Sequence, residues 1–264
     1  MKSSKSIVLA RQQAILKLLK QEHRIDVDTV SARLGVSPTT VRRDLAMFEE
    51  QKLVRRFHGG AELVEGTLKE EDIFLGDATL HKDLAQKEAI ARYAAGLIAD
   101  GDTIFMNSSS TTLMLLRYLR GKHVIVVTNN GYAVNMPADE NVSVILTGGQ
   151  LYRRRKSLVG EFALHSLSKI NADKAFLGVG GISVKNGITT SVLQETAVNE
   201  AMMRRCQGSC YVLAANTKIG RAHNFISGTI DQVNTLITCK GGNAREIEDM
   251  RAIGVDVVEC EVEK

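Results

Sequence analysis

Two groups of residues in this 264-residue chain pair chemically useful side chains with a defined spacing. The first is Thr39, Thr40, Arg42 and Arg43, entered through Ser37-Pro38. A serine hydroxyl accepts from the unpaired N–H groups of a helix's first turn, and proline at the first helical position has no N–H to leave unpaired. Val41, Leu45 and Phe48 recur at i, i+4 and i+7 and form one apolar face. Thr39, Thr40, Arg42, Arg43 and Met47 fall off that face and are expected to point outward. Threonine can touch a thymine methyl, and arginine can bond guanine O6 and N7 with two N–H groups. A helix so decorated suits the major groove of a duplex.

The second group lies at the ends of short apolar runs. Thr103–Met106 leads into Asn107-Ser-Ser-Ser-Thr-Thr112, and Val124–Val127 into Thr128-Asn-Asn130. Val142–Leu146 ends in Thr147-Gly-Gly149, Lys174–Leu177 in Gly178-Val-Gly-Gly181, and Cys210–Ala214 in Ala215-Asn-Thr-Lys218. Hydroxyls beside free N–H groups at a helix start form an anion site. Ser109, Ser110, Thr111, Thr112, Asn129, Gly148, Gly149, Gly180, Gly181 and Lys218 are therefore expected to line a pocket for a small phosphorylated ligand.

The pattern flanking these residues supplies their supports. Asp26 can cap a short helix bearing Val27, Val30 and Leu34, and Gly35 sits where a left-handed end residue belongs. Gly35-Val36-Ser37 is then the turn of a helix-turn-helix. Lys52–His58 reads as a strand, Gly59-Gly60 as a turn and Ala61–Val64 as its return, a basic wing in which Arg55, Arg56 and His58, with Ser37, would hold phosphates or the minor groove. Arg24-Ile25 can add a small strand to that wing. Ile7–Gln21 reads as a first helix with Val8, Ile15, Leu18 and Leu19 on one side, leaving Arg11 and Lys17 on a solvated face. A head at residues 1–62 is expected to join a body at 77–264 through a linker at 63–76, which includes the polar, acidic Gly66–Gly76.

In the body, helices are expected at Lys82–Ala99, Thr111–Leu119, Phe162–Ile170 and Glu195–Arg205. Leu236–Thr238 and Val255–Val258 complete the strands. Short apolar strands between helices imply a mostly parallel sheet covered on both faces, so the fold class is α/β. Ligands in such sheets gather at the carboxyl ends of the strands.

Charge is divided unevenly. Residues 1–60 hold twelve Lys/Arg against six Asp/Glu, a net of +6, and the remainder holds 22 against 24, a net of −2. A basic module on a near-neutral body fits a nucleic-acid reader with a separate second task. No run approaches the roughly 18 apolar residues of a membrane helix, and Ile7–Ala10 is too short for a signal segment. Cys206, Cys210, Cys239 and Cys260 make no Cys-x-x-Cys and no ligand spacing with histidine, so idle thiols in a reducing cytoplasm are expected, with no metal and no cofactor.

Val36-Ser-Pro-Thr-Thr-Val-Arg-Arg-Asp-Leu45, followed by Val54-Arg-Arg-Phe-His-Gly-Gly-Ala61, resembles the N-terminal signature of the DeoR family of bacterial regulators. Gly101-Asp102, Ser110-Thr-Thr112, Thr128-Asn129, Leu146-Thr-Gly-Gly149, Phe176-Leu-Gly178, Gly187 and Lys218 extend the resemblance over nearly the whole chain. The resemblance implies a body related in fold to ribose-5-phosphate isomerase and coenzyme A transferases, and an effector that is a phosphorylated sugar or related catabolite. Three departures touch the effector's identity: a serine run stands near Ser109, Val179-Gly180-Gly181 lacks an acidic group, and Asn199 replaces a lysine.

An isomerase would need a carboxylate or histidine beside the phosphate loop. Gly180 stands where one is expected, and Glu195 reads as a cap partner or surface residue. The residues of Arg153–Lys156 fit a solvated loop, a ligand contact or a subunit contact. The expected function is a cytoplasmic, homo-oligomeric regulator of operator DNA, a repressor or else an activator of sugar catabolism, released by its effector; a sugar-phosphate isomerase is the alternative.

Overall fold

The computed structural model describes residues 11–64, apart from 13, 17, 20, 51 and 52, and residues 84–262. The chain separates into two units, residues 1–82 and 83–264. Much of the expected linker lies outside the described residues, as do Val8 and Lys17.

In the first unit, described residues between 11 and 22 are helical (α1). They precede β1 (Arg24–Asp26), α2 (Val27–Leu34), α3 (Pro38–Glu50), β2 (Val54–Phe57) and β3 (Gly60–Leu63). Apolar periodicity is realised as one core, with Ile15, Leu19, Val30, Val41, Leu45 and Phe48 all buried. Asp26 caps α2 by accepting from the Asp28 and Thr29 amides, and Gly35 ends it at φ 64°. The Thr29 amide, then the other hydrogen bonds, hold the Asp26 carboxyl below its ordinary range.

Three details differ from expectation. The wing turn is His58-Gly59, and Gly60 belongs to β3: a Cβ there would lie 2.2 Å from the Ile25 carbonyl oxygen. At Gly60 the β1–β3 pairing passes too close for any side chain. Met47 is half-buried against the core rather than outward, because the neighbouring helix α1 covers that flank. Arg11 is not on a solvated face. Its Nε donates to Asp44 Oδ2 at 2.6 Å, and Gln12 donates to Asp44 Oδ1 at 3.0 Å. Asp44 is itself buried, and this ion pair supplies the counter-charge that a buried carboxylate requires.

The second unit runs α4 (Leu84–Gly96), β4 (Thr103–Met106), α5 (Ser110–Met114), β5 (Val124–Thr128), β6 (Val142–Leu146), β7 (Gln150–Tyr152), β8 (Ser157–Val159), α6 (Glu161–Ser168) and β9 (Ala172–Gly178). It continues through β10 (Gly181–Ser183), β11 (Gly187–Thr190), α7 (Leu193–Arg204), β12 (Cys206–Leu213), β13 (Phe225–Gly228), β14 (Thr235–Cys239), α8 (Ala244–Ala252) and β15 (Asp256–Cys260). Seven strands form a parallel sheet in the order β15-β14-β12-β9-β4-β5-β6. Phe105, Phe176, Val126, Val212 and Leu236 fill its middle, all completely buried.

The β7–β8 hairpin and the antiparallel β10-β11-β13 sheet were not expected from the pattern. Strands of three or four residues show no readable alternation. The helix expected at Thr111–Leu119 is α-helical only over Ser110–Met114 and continues as a 3₁₀ helix over Leu115–Tyr118.

The strand order locates the site. From β4 the chain moves outward through β5 and β6, then returns to β9 on the other side of β4 and proceeds to β12, β14 and β15. The order reverses between β4 and β9, the point at which open α/β sheets form their ligand crevice. Asn107 bridges that point: its Nδ2 donates to the Gly178 carbonyl at 2.8 Å, and its Oδ1 accepts the Gly178 amide at 2.9 Å.

Phe48→Ala should cost the head about 3–5 kcal/mol, the range for a buried phenylalanine. In urea this will appear as loss of the head's transition, with the body unfolding at the wild-type concentration. Asn107→Ala should destabilise the body by about 2–4 kcal/mol, because two buried backbone groups of Gly178 lose their partners. Chemical denaturation reads that shift.

Candidate nucleic-acid interface and effector site

On α3, Ser37 caps as its position implied. Its Oγ accepts the Thr40 amide at 3.2 Å and lies 2.8 Å from Thr40 Oγ1. Thr39, Arg42 and Arg43 are exposed while Thr40 is half-buried, so one edge of the helix offers a methyl-bearing hydroxyl and two guanidinium groups. The opposite edge is sealed by Val41, Leu45 and Phe48. A guanidinium fork matches guanine's two acceptors, and the free edge of α3 can reach base edges in a major groove.

The wing carries its arginines beside acids. Arg55 Nε donates to Glu62 Oε1 at 2.7 Å, and Arg56 Nε lies 3.7 Å from Glu49 Oε2. Both pairs are open to solvent, where such contacts contribute little and exchange readily for a phosphate. His58 is exposed in the turn, and Arg24 stacks its guanidinium 4.0 Å from the Phe57 ring centre, steadying the wing's root.

In the second unit, Ser109 caps α5 by accepting the Thr111 amide at 3.1 Å and the Thr112 amide at 3.5 Å. Thr112 gives its hydroxyl to the Asn107 carbonyl, and Thr111 and Thr112 are buried, whereas Ser110 is half-buried. Two first-turn amides are thus already occupied by the chain itself. Ser108 and Ser109 are buried beside the half-buried Ser110, and the Ser109 hydroxyl is engaged in this cap.

Asn129 is fully buried, donating to the Leu158 carbonyl, and so fastens β5 to the β7–β8 hairpin. Gly148 and Gly149 turn the chain at φ 68° and 106° into that hairpin, and a Cβ on Gly149 would lie 2.6 Å from the Val159 oxygen. Lys218 donates from Nζ to the Val179 carbonyl at 2.7 Å, placing its ammonium at the outlet of β9. Gly178 packs against Ser109, and Gly180 and Gly181 are crossed by the segment holding Arg221 and His223. Ser109, the 178–181 segment and Lys218 therefore meet at the β4/β9 crevice, whereas Asn129, Gly148 and Gly149 build the hairpin's foundation beside it.

Residues not selected from sequence complete this polar centre. Glu195 is buried at 4 % exposure rather than acting as a surface or cap group; it accepts from Ser108 Oγ at 3.1 Å. Arg155, from the basic run, places Nε 3.9 Å from the same Glu195 oxygen. Asn107 Nδ2 also reaches Asn199 Oδ1 at 3.0 Å, and Asn199 donates to Ser227 Oγ at 3.3 Å. Only the three-dimensional return of α7 to the crevice brings Glu195 and Asn199 there; no local spacing announces it. The cysteines are free, and burial pushes the Cys210 thiol up to about 12 and Cys239 to about 11, so neither offers a thiolate near neutrality. Among the described residues no group of three or more His, Cys, Asp or Glu could hold a metal, and no helix is long and apolar enough to cross a membrane.

Comparison with known proteins agrees with both halves. Residues 11–67 match the DeoR-like helix-turn-helix domain, and residues 82–240, more than half of the chain, match the DeoR C terminal sensor domain. The HTH-type transcriptional regulator GolR of Listeria innocua is 33 % identical over 231 residues, 86 % of this chain and 89 % of that protein. A putative aga operon transcriptional repressor of Escherichia coli O157:H7 is 31 % identical over 94 % of this chain and 92 % of its own length. The HTH-type transcriptional repressor GlcR of Bacillus subtilis is 31 % identical over 95 % and 96 %. With a helix-turn-helix head, a parallel α/β sensor body and relatives named as regulators rather than enzymes, this chain belongs to the DeoR family of transcriptional regulators.

Proposed function

We propose that the chain is a cytoplasmic repressor of a sugar or sugar-derivative catabolic operon, released from operator DNA by a phosphorylated sugar-type effector. The observation that supports this best is the division of α3: one edge is locked into the head core and the other leaves Thr39, Arg42 and Arg43 exposed. Thr39, Thr40, Arg42 and Arg43 read base edges, and Ser37, Arg55, Arg56 and His58 hold the backbone. The wing arginines exchange Glu62 and Glu49 for phosphates as the head docks.

The effector is held at the β4/β9 crevice by the Ser108–Ser110 rim and Lys218, among a buried carboxylate and several amide and hydroxyl groups. Such a set suits a small ligand with one anionic end and several hydroxyls. The body also pairs with further copies, since operators are read by symmetric dimers. Release follows only where the effector binds one arrangement of the heads better than the other.

Arg43→Ala should weaken operator binding by about 1–3 kcal/mol and relax specificity at one base pair. Titration of cognate against random duplex at fixed salt reads this, and an equal loss on both would remove the base-reading role. Lys218→Ala should abolish release by effector while the unliganded protein keeps its operator affinity. A mutant released at wild-type effector concentrations would displace Lys218 from the site.

A further inference from the structure

Glu195 lies near the start of α7 at 4 % exposure, yet the groups that reach it come from other elements: Ser108 Oγ at 3.1 Å and Arg155 Nε at 3.9 Å. A buried carboxylate is costly unless donors and a counter-charge face it. Arg155 supplies that charge from the β7–β8 hairpin, but 3.9 Å is beyond hydrogen-bond length, and its side chain keeps 39 % exposure. A guanidinium with five N–H donors is thus engaged by attraction alone and stays open to a better-fitting anion. At the footing of the same hairpin, Asn129 Oδ1 and Ser157 Oγ are buried and have no hydrogen-bond partner among the described residues.

We propose that Arg155 is an anion-binding residue of the effector site and that Glu195 decides which anions are accepted. This inference rests on the effector reading above. An anion that takes Arg155 leaves Glu195 buried without its counter-charge, so an anion with no proton to donate, such as sulfate, binds against a penalty. A ligand bearing hydroxyls beside its phosphate donates to Glu195 and replaces the lost partner. The pair therefore favours polyol phosphates over sulfate, by the rule that an unpaired buried group rejects ligands unable to satisfy it.

Calorimetric titration of the full chain with sulfate, ribose 5-phosphate and glucose 6-phosphate tests this, using Glu195→Gln, Arg155→Ala and Arg155→Lys. Wild type should bind at least one sugar phosphate about tenfold or more tighter than sulfate. Glu195→Gln should raise affinity for sulfate about tenfold and narrow that ratio. Arg155→Ala should weaken all three probes, and Arg155→Lys should restore part of the loss. Unchanged or weaker sulfate binding by folded Glu195→Gln overturns the inference, as does wild-type affinity in Arg155→Ala, while sugar-phosphate binding by wild type leaves the effector reading standing. Binding of none of the probes by any protein overturns both. If Glu195→Gln does not fold, the two Arg155 variants decide, since that side chain is only partly buried.

Discussion

The two hydrogen bonds between the Asn107 amide group and the Gly178 backbone hold the sensor body's working end together. They join β4 and β9 at the one place where the sheet's winding reverses and its loops part. Without a clamp, two diverging loops would leave backbone donors and acceptors buried and unpaired. With it, Gly178 is drawn against Ser109 closely enough that a Cβ would lie 1.8 Å from the serine oxygen. The same asparagine reaches Asn199 and through it Ser227, so α7 and β13 are tied to the crevice by side chains, not by sheet pairing. Glu195, one turn earlier on α7, is thereby delivered beside Ser108 and Arg155.

The head uses a similar device on a smaller scale. Its core is apolar, and hydrophobic burial is non-directional: it can hold α3 down without fixing its rotation. Asp44 adds direction. Placed on the buried side and met by both Arg11 and Gln12, it ties α3 to α1 at a defined angle. Arg42 and Arg43, about 200° and 100° around the helix from it, are then turned away from the core. A buried ion pair is weak evidence for stability, but it is well suited to specifying one orientation.

The two units meet different electrostatic problems. In the head, positive charge sits at the surface, where Glu49 and Glu62 partner the wing arginines at little cost. In the body, Glu195 and Arg155 are partly or wholly removed from water, where each group's partner matters far more. Surface pairs can be exchanged for other partners with small free-energy change, whereas a group removed from water loses much more with its partner.

Much of the architecture was readable in the sequence, because its signals are local. The Ser37-Pro38 start, the Gly35 stop, the Asp26 cap and the i, i+4, i+7 apolar face of α3 each depend on residues within a few positions. Each appears in the structure at its expected place. The parallel strands were legible as short apolar runs for the same reason, with ends shifted by a few residues. Tertiary structure alone decided which polar residues meet. Glu195 and Ser108 are 87 positions apart, Asn107 and Gly178 are 71 apart, and Arg11 and Asp44 are 33 apart. Periodicity gives a side chain's face within its own element but not which distant element will cover it. Hence Arg11 and Glu195 read as surface groups until the fold brought a partner to each. Gly180 and Gly181 read as the lining of a ligand pocket, and the fold passes the segment holding Arg221 and His223 against them.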